Sequence, residues 1–151
     1  MDGWWIDYPR VMGSPNPSTA DLEELRRQGF EIVVSLLREE DQQPNYDLAK
    51  AKAIGLIRYS IPVRDFHAPK VDQLMEFAEL VDGFAGSTRI LIHCQGGMGR
   101  TGTFAAAYWI ARGSPVEEAI ARIRRARVHA IETPEQEAVL KEFAEKWRTG
   151  E

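Results

Sequence analysis

The stretch Arg89-Ile-Leu-Ile-His93-Cys94-Gln95-Gly96-Gly97-Met98-Gly99-Arg100-Thr101-Gly102 joins two kinds of periodicity. Residues 89–93 are short, apolar and β-branched, which predicts a strand buried on both faces. Thr101 to Arg112 carries a helical pattern that stops at Gly113. Between them, glycines at 96, 97 and 99 remove Cβ atoms and permit positive φ, so that backbone N–H groups can converge on one centre. A strand running through a tight glycine turn into a helix is the unit of α/β folds, and open parallel sheets bind ligands at that strand end.

Upstream, the same alternation holds. Pro9 to Pro17 reads as turn-rich, and Ser18-Thr-Ala-Asp21 as the capped start of a helix running to Gln28. Glu31 to Leu37 is a second buried strand, and a helix from about Tyr46 to Ile54 closes at Gly55. Leu56 to Ile61 alternates like a strand and enters the loop Pro62 to Pro69, and Val71 to Phe84 has helical spacing. Downstream, Ser114-Pro-Val-Glu117 and Thr133-Pro-Glu-Gln136 both have the form of capping boxes with proline at the first helical position. No repeat or linker interrupts residues 1–151. The expectation is one α/β domain with a central, mostly parallel sheet of four to five strands flanked by helices.

Composition narrows the chemistry. The chain has 151 residues, 19 Lys and Arg against 23 Asp and Glu, a net charge of -4, three His and one Cys. That balance argues against nucleic acid as the main partner, because phosphate-backbone binding relies on an excess of cations. A single cysteine excludes an internal disulfide framework and any zinc site built on several thiolates. The longest apolar run, Phe104 to Ala111, falls far short of the ~20 residues a membrane span needs. The start at Met1 has no basic n-region or apolar run of signal-peptide length, so a cytoplasmic protein with a free thiol is expected.

The glycine turn is where that thiol lies. A nest of amides at a helix N-terminus binds an anion, phosphate above all, and Arg100 adds a planar charged fork for two of its oxygens. Thiols at helix N-termini beside cations ionise at roughly pH 3.5–7.5. Cys94 is therefore expected as a thiolate facing a bound phosphorus, the arrangement for displacement through a phosphocysteine intermediate. The loop amides and Arg100 would spread the charge of the transition state. A lone cysteine after an apolar strand is ordinarily a small buried hydrophobe. The pattern His-Cys-x-x-Gly-x-x-Arg-Thr around this one, from His93 to Thr101, reverses that reading.

These residues resemble the Cys-x5-Arg phosphate loop of the protein tyrosine phosphatase superfamily. From about Gly13 to Trp147 the chain resembles the small atypical dual-specificity phosphatases. Ile61-Pro-Val-Arg-Asp65, the loop from His93 to Gly102, and Ile131-Glu-Thr-Pro-Glu-Gln136 carry the likeness. It implies that Cys94 is the nucleophile and that Gln95, Gly96, Gly97, Met98, Gly99 and Arg100 form the phosphate loop. Asp65, 29 residues before Cys94, would be the acid that protonates the leaving oxygen. Thr101 would stabilise the departing thiolate, cap the helix, or do both, and His93 would tune the cysteine and brace the loop rather than act as the base. Gln136 would position the hydrolytic water or serve only in its capping box. Neither metal nor organic cofactor is implied. The partners would be a phosphorylated protein or peptide and, in the loop, inorganic phosphate or another oxyanion; no nucleic acid or membrane partner is implied, and a monomer is the default.

Rival readings have less to stand on. Gly97-Met-Gly-Arg-Thr-Gly102 has the dinucleotide-binding spacing, but a capped helix from Ser114 replaces the second strand and acidic residue that such a site needs. A Walker-type loop lacks its lysine, and Cys94, His67, His93 and His129 show no metal-ligand spacing. A non-catalytic phosphate-binding module would need neither nucleophile nor acid. Phosphoinositides and RNA 5′-triphosphates favour basic residues inside the loop, where Gln95 and Met98 stand. His67 reads as a solvated loop residue or one lining the pocket mouth, Arg122 to Arg127 as the polar face of a helix that would add positive field if part of it faced the pocket, and Trp4, Trp5 and Trp109 as core or lid packing.

Overall fold

A computed structural model describes residues 1–150. Five strands run β1 (Trp4–Asp7), β2 (Val11–Ser14), β3 (Phe30–Ser35), β4 (Ile57–Ser60) and β5 (Arg89–His93). Six helices run α1 (Thr19–Arg27), α2 (Leu48–Ala53), α3 (Val71–Asp82), α4 (Gly99–Ala111), α5 (Val116–Ala126) and α6 (Pro134–Thr149). The sheet order is β1-β2-β5-β3-β4, antiparallel only between β1 and β2. This is the expected α/β domain with a mostly parallel sheet.

Register explains where a site can form. Ser14 pairs with His93, His93 with Ser35, and Ser35 with Ser60, so the four parallel strands end level at one edge of the sheet. The loops after β2, β3, β4 and β5 all leave from that edge, with β5 in the middle.

Both faces of the sheet are covered, which is why β3 and β5 are buried almost throughout. On one face, α3 to α6 enclose a core around Phe77, Phe104 and Phe143. Phe77 and Phe104 meet edge to face at 5.3 Å, worth about 0.5–1.5 kcal/mol beyond the area they bury. α3 supplies Leu74, Phe77, Ala78 and Val81, the spacing of one helical stripe. α4 is buried on nearly every side, as its composition of Ala, Gly, Thr and aromatics allows. Opposite, α1 and α2 cover a smaller core of Leu22, Leu25, Phe30, Val33 and Leu91.

Three expectations are corrected, and one strand is added. The turn-rich stretch from Pro9 to Pro17 contains β2, whose strand character comes from pairing with β1 and β5. β1, unmarked by any alternation in Trp4–Asp7, completes the hairpin. The Ser114 capping box does not form: its hydroxyl donates to the Pro115 carbonyl at 3.3 Å, and α5 starts at Val116. Finally, α2 begins at Leu48 with Asp47 as its cap, which releases Tyr46 into the core.

Candidate active site

The phosphate-loop residues wrap from the end of β5 into the first turn of α4, so Arg100 and Thr101 are helical and Met98 takes the cap position. Cys94 is 2 % exposed at the base of this turn. Its Sγ accepts a hydrogen bond from the Gly97 amide at 3.1 Å and another from the Thr101 hydroxyl at 3.0 Å. The sulfur thus accepts from one backbone and one side-chain donor. Thr101 Oγ1 is thus engaged with the sulfur rather than capping the helix.

Gly97 shows why the turn needs glycine. Its φ is +75, and a Cβ there would lie 2.6 Å from the Pro15 nitrogen and 2.7 Å from the Ser14 carbonyl carbon. The loop after β2 therefore backs directly onto the phosphate loop. Asn16 secures the two: its amide donates to the Gln95 carbonyl at 3.0 Å and its side chain to Gln95 Oε1 at 3.0 Å. From β1, Trp4 Nε1 donates to the Gly97 carbonyl at 3.0 Å.

Arg100, although charged, is 1 % exposed. Nη1 donates to the Val63 carbonyl at 2.9 Å and Nη2 to Gln42 Oε1 at 2.7 Å, while Asp65 Oδ1 lies 3.3 Å from Nη2. Nε is buried and has no partner among the described residues. A buried unpaired donor costs about 1–3 kcal/mol, so this is the guanidinium edge on which an anion gains most. Asp65 is one-third exposed, accepting also from Gln42 Nε2 at 2.9 Å and the Phe66 amide at 3.0 Å. The structure thus brings Cys94, Arg100, Thr101 and Asp65 to one place.

His93 is fully buried behind the cysteine. Nδ1 lies 3.4 Å from the Cys94 carbonyl, and Nε2 lies 2.7 Å from the Tyr46 hydroxyl. Because a carbonyl only accepts, Nδ1 carries the proton and Nε2 accepts from Tyr46, whose oxygen in turn accepts from Arg58 Nε at 2.8 Å. Burial, first of all, lowers the His93 pKa to about 3, with the cations Arg58 and Arg100 adding to the effect. His93 thus has Nδ1 toward the Cys94 carbonyl and Nε2 occupied by the Tyr46 hydroxyl. Burial likewise raises the Tyr46 pKa above its ordinary value.

Gln136 is fully buried in the first turn of α6. Its Oε1 accepts from the Glu132 amide at 2.7 Å and the Thr133 amide at 3.2 Å, and Nε2 donates to the His67 carbonyl at 3.3 Å. It closes the capping box of α6 and ties that helix to the loop carrying Asp65. His67 is exposed, with Nδ1 2.9 Å from the Asp65 carbonyl. The arginines of α5 have structural engagements: Arg124 donates to the Ala130 and Ile131 carbonyls, and Arg122 lies over the Trp109 ring.

Gln42, Tyr46, Asn16, Arg58 and the bracing role of Trp4 escape the sequence reading. They lie in loops or strands far from Cys94 in the chain, and no spacing rule marks them. Among the described residues no group of three or more His, Cys, Asp or Glu side chains is placed to hold a metal, and no helix is long and apolar enough to cross a membrane.

Residues 10–114 match the family model described as "Polymorphic toxin system, DSP-PTPase phosphatase". The crystal structure of Tk-PTP in the active form is 36 % identical, with a TM-score of 0.83 over 95 % of this chain and 97 % of that one. PTPMT1 in complex with PI(5)P is 22 % identical with a TM-score of 0.88 over 98 % of this chain and 97 % of that one, a likeness of fold alone. Protein tyrosine phosphatase domain-containing protein 1 of Bos taurus is 22 % identical over 94 % of this chain, which spans only 20 % of that protein. The Schizosaccharomyces pombe tyrosine-protein phosphatase CDC14 homolog is 26 % identical over 89 % of this chain, which spans 24 % of that protein. The family match covers more than half the chain, and the Tk-PTP likeness runs almost end to end, so the chain belongs to the DSP-PTPase family, the small dual-specificity branch of the protein tyrosine phosphatase superfamily.

Proposed function

We propose that the chain is a cysteine-dependent protein phosphatase that hydrolyses phosphotyrosine, and phosphoserine or phosphothreonine as well, through a cysteinyl-phosphate intermediate. The observation that carries this reading is Cys94 Sγ held by the Gly97 amide and the Thr101 hydroxyl in the loop that also ends in buried Arg100.

In the first step the Cys94 thiolate attacks phosphorus. The S–P bond forms, the bond to the ester oxygen breaks, and Asp65 gives its proton to the leaving oxygen. The loop amides and the Arg100 fork hold the equatorial oxygens as charge redistributes. In the second step water attacks the phosphocysteine, Asp65 takes the water's proton, and the S–P bond breaks. The Thr101 hydroxyl, 3.0 Å from Sγ, stabilises the sulfur as it regains its charge. Gln136 would position this water or serve only in the α6 capping box, where its Oε1 accepts from the Thr133 amide.

Protein substrates fit the loop better than polyphosphorylated ones. Gln95 and Met98 stand where extra cations would serve a second phosphate, and the net charge is -4. A Cβ on Gly99 would lie 2.1 Å from Glu132 Oε1, which places a carboxylate against the start of α4. A second anionic group would meet it as a like charge. PTPMT1, solved with PI(5)P, shares the fold, so a lipid phosphate is the comparison substrate to include.

The test pairs two variants with three substrates: a phosphotyrosine peptide, an activated aryl phosphate and a phosphoinositide. Cys94→Ser abolishes turnover while still binding the ester. Asp65→Asn loses about 100- to 10,000-fold on the poor phenolate leaving group and far less on the activated ester. Activity of Cys94→Ser within tenfold of the parent defeats the nucleophile assignment, and a preference for the phosphoinositide moves the substrate class to lipids.

A further inference from the structure

Among the described residues, Gln42, on the loop after β3, is the one side chain hydrogen-bonded to both the arginine of the phosphate loop and the candidate acid. Its Oε1 accepts from Arg100 Nη2 at 2.7 Å and its Nε2 donates to Asp65 Oδ2 at 2.9 Å. The two ends of a primary amide are matched to their partners, acceptor toward the cation and donor toward the carboxylate. A carboxylate here would satisfy Arg100 but repel Asp65, and an aliphatic chain would satisfy neither. Arg100 and Asp65 lie only 3.3 Å apart, so Gln42 spans an ion pair whose members are otherwise anchored only at the Val63 carbonyl and the Phe66 amide.

The backbone around Gln42 is built to hold it there. Its own amide donates to the Arg38 carbonyl at 3.0 Å, and the Asp41 amide donates to the same carbonyl at 2.9 Å. On the other side, Asn16 Nδ2 donates to the Gln43 carbonyl at 2.8 Å, and the Asn45 amide donates to Asn16 Oδ1 at 2.9 Å. The same Asn16 is bonded to Gln95 of the phosphate loop. The loop bearing Gln42 and the loop bearing the nucleophile are therefore tied together at a second point. With Val63 fixing Nη1, Gln42 fixes Nη2, and the guanidinium keeps Nε as its unpaired donor.

We propose that Gln42 is a positioning residue, which sets the plane of Arg100 for oxyanion binding and holds the Asp65 carboxyl beside it for proton transfer to the leaving group. The inference rests on the phosphatase reading for its catalytic half, while its oxyanion half does not.

The test replaces Gln42 in the full chain by methionine, which keeps the length and loses both polar ends, and by asparagine, which keeps the amide and shortens the span. Two quantities are read: the affinity for inorganic phosphate, and the ratio of kcat on phenyl phosphate to kcat on an activated aryl ester. In Gln42→Met phosphate binds about tenfold more weakly, the ratio expected when a hydrogen bond to a charged group is lost. The kcat ratio falls at least as far, because only the poor leaving group needs a well-placed acid. Gln42→Asn, unable to reach both partners, shows at least one of the two losses, and it decides the matter if Gln42→Met fails to fold. Parent-like phosphate affinity together with an unchanged kcat ratio overturns the proposal, and in Gln42→Met an equal loss on both esters does so by itself. A parent chain that binds phosphate but turns over neither ester defeats the phosphatase reading instead, and the affinity of the variants then judges Gln42 alone.

Discussion

At the scale of the residue, His93 is the clearest case of environment deciding chemistry. In water an imidazole titrates near 6.5; inside this core its pKa is lowered to about 3. Its Nε2 is used as an acceptor by the Tyr46 hydroxyl, so a proton added there would displace that bond as well as charge the core. The consequence for stability has a definite sign. Above pH 6.5 His93 is neutral in both the folded and unfolded chains and has no effect on the slope. As pH falls from 6.5 toward 3, only the unfolded chain takes up the proton, so the folded state loses ground throughout that window. Urea denaturation of the parent and of His93→Asn, from pH 7 down to pH 4, isolates this contribution. The parent's stability falls more steeply with acid than the variant's, the difference approaching one proton, about 1.4 kcal/mol per pH unit. Superimposable slopes would mean that His93 is protonated in the folded protein.

At the scale of the element, the phosphate loop depends on what its backbone must avoid. Gly97 combines a φ of +75 with main-chain atoms of Ser14 and Pro15 within 2.9 Å of any Cβ, and main-chain neighbours cannot swing aside. Gly96 has no atom within 4 Å of the same construction. Gly97→Ala is accordingly destabilised by about 2–5 kcal/mol, the sum of a left-handed alanine and an overpacked contact. Gly96→Ala stays within about 1 kcal/mol of the parent. Chemical denaturation of the two variants checks the contrast, and equal midpoints would remove the argument for close packing of the β2 loop. This element was legible in advance because glycine spacing, a buried strand and a helix stop all lie within one short window. β2 was not: its four residues sit between prolines and contain Gly13, and only its neighbours in the sheet make it a strand. The Ser114 capping box failed for a related reason, since a hydroxyl bonded to a nearby carbonyl leaves the helix start to Pro115.

At the scale of the molecule, the site is an assembly of loops that only the sheet brings together. Cys94, Arg100 and Thr101 share one window of sequence and were legible; Asp65 followed from its spacing to Cys94 within a resemblance. Asn16, Gln42 and Tyr46 lie 47 or more residues from the phosphate loop or its histidine, and local pattern carries no record of such distances. The level ends of β2, β3, β4 and β5 place them, so the fold and the site are one set of contacts. An oxyanion bound by this set therefore stabilises the native chain as a whole, because the unfolded chain has no such cradle. At a phosphate or tungstate concentration 100 times the dissociation constant, mass action contributes about 2.7 kcal/mol. For a domain of this size that raises Tm by roughly 5–10 °C. Cys94→Ser keeps the shift, since a hydroxyl leaves the amides and the guanidinium in place. Arg100→Lys loses most of it at the same anion concentration, because an ammonium cannot reproduce a fork held at Val63 and Gln42 while Nε remains free. Thermal scans of the three proteins with and without the anion decide the point: a shift that survives intact in Arg100→Lys would show that the backbone amides, not the buried guanidinium, supply the binding energy.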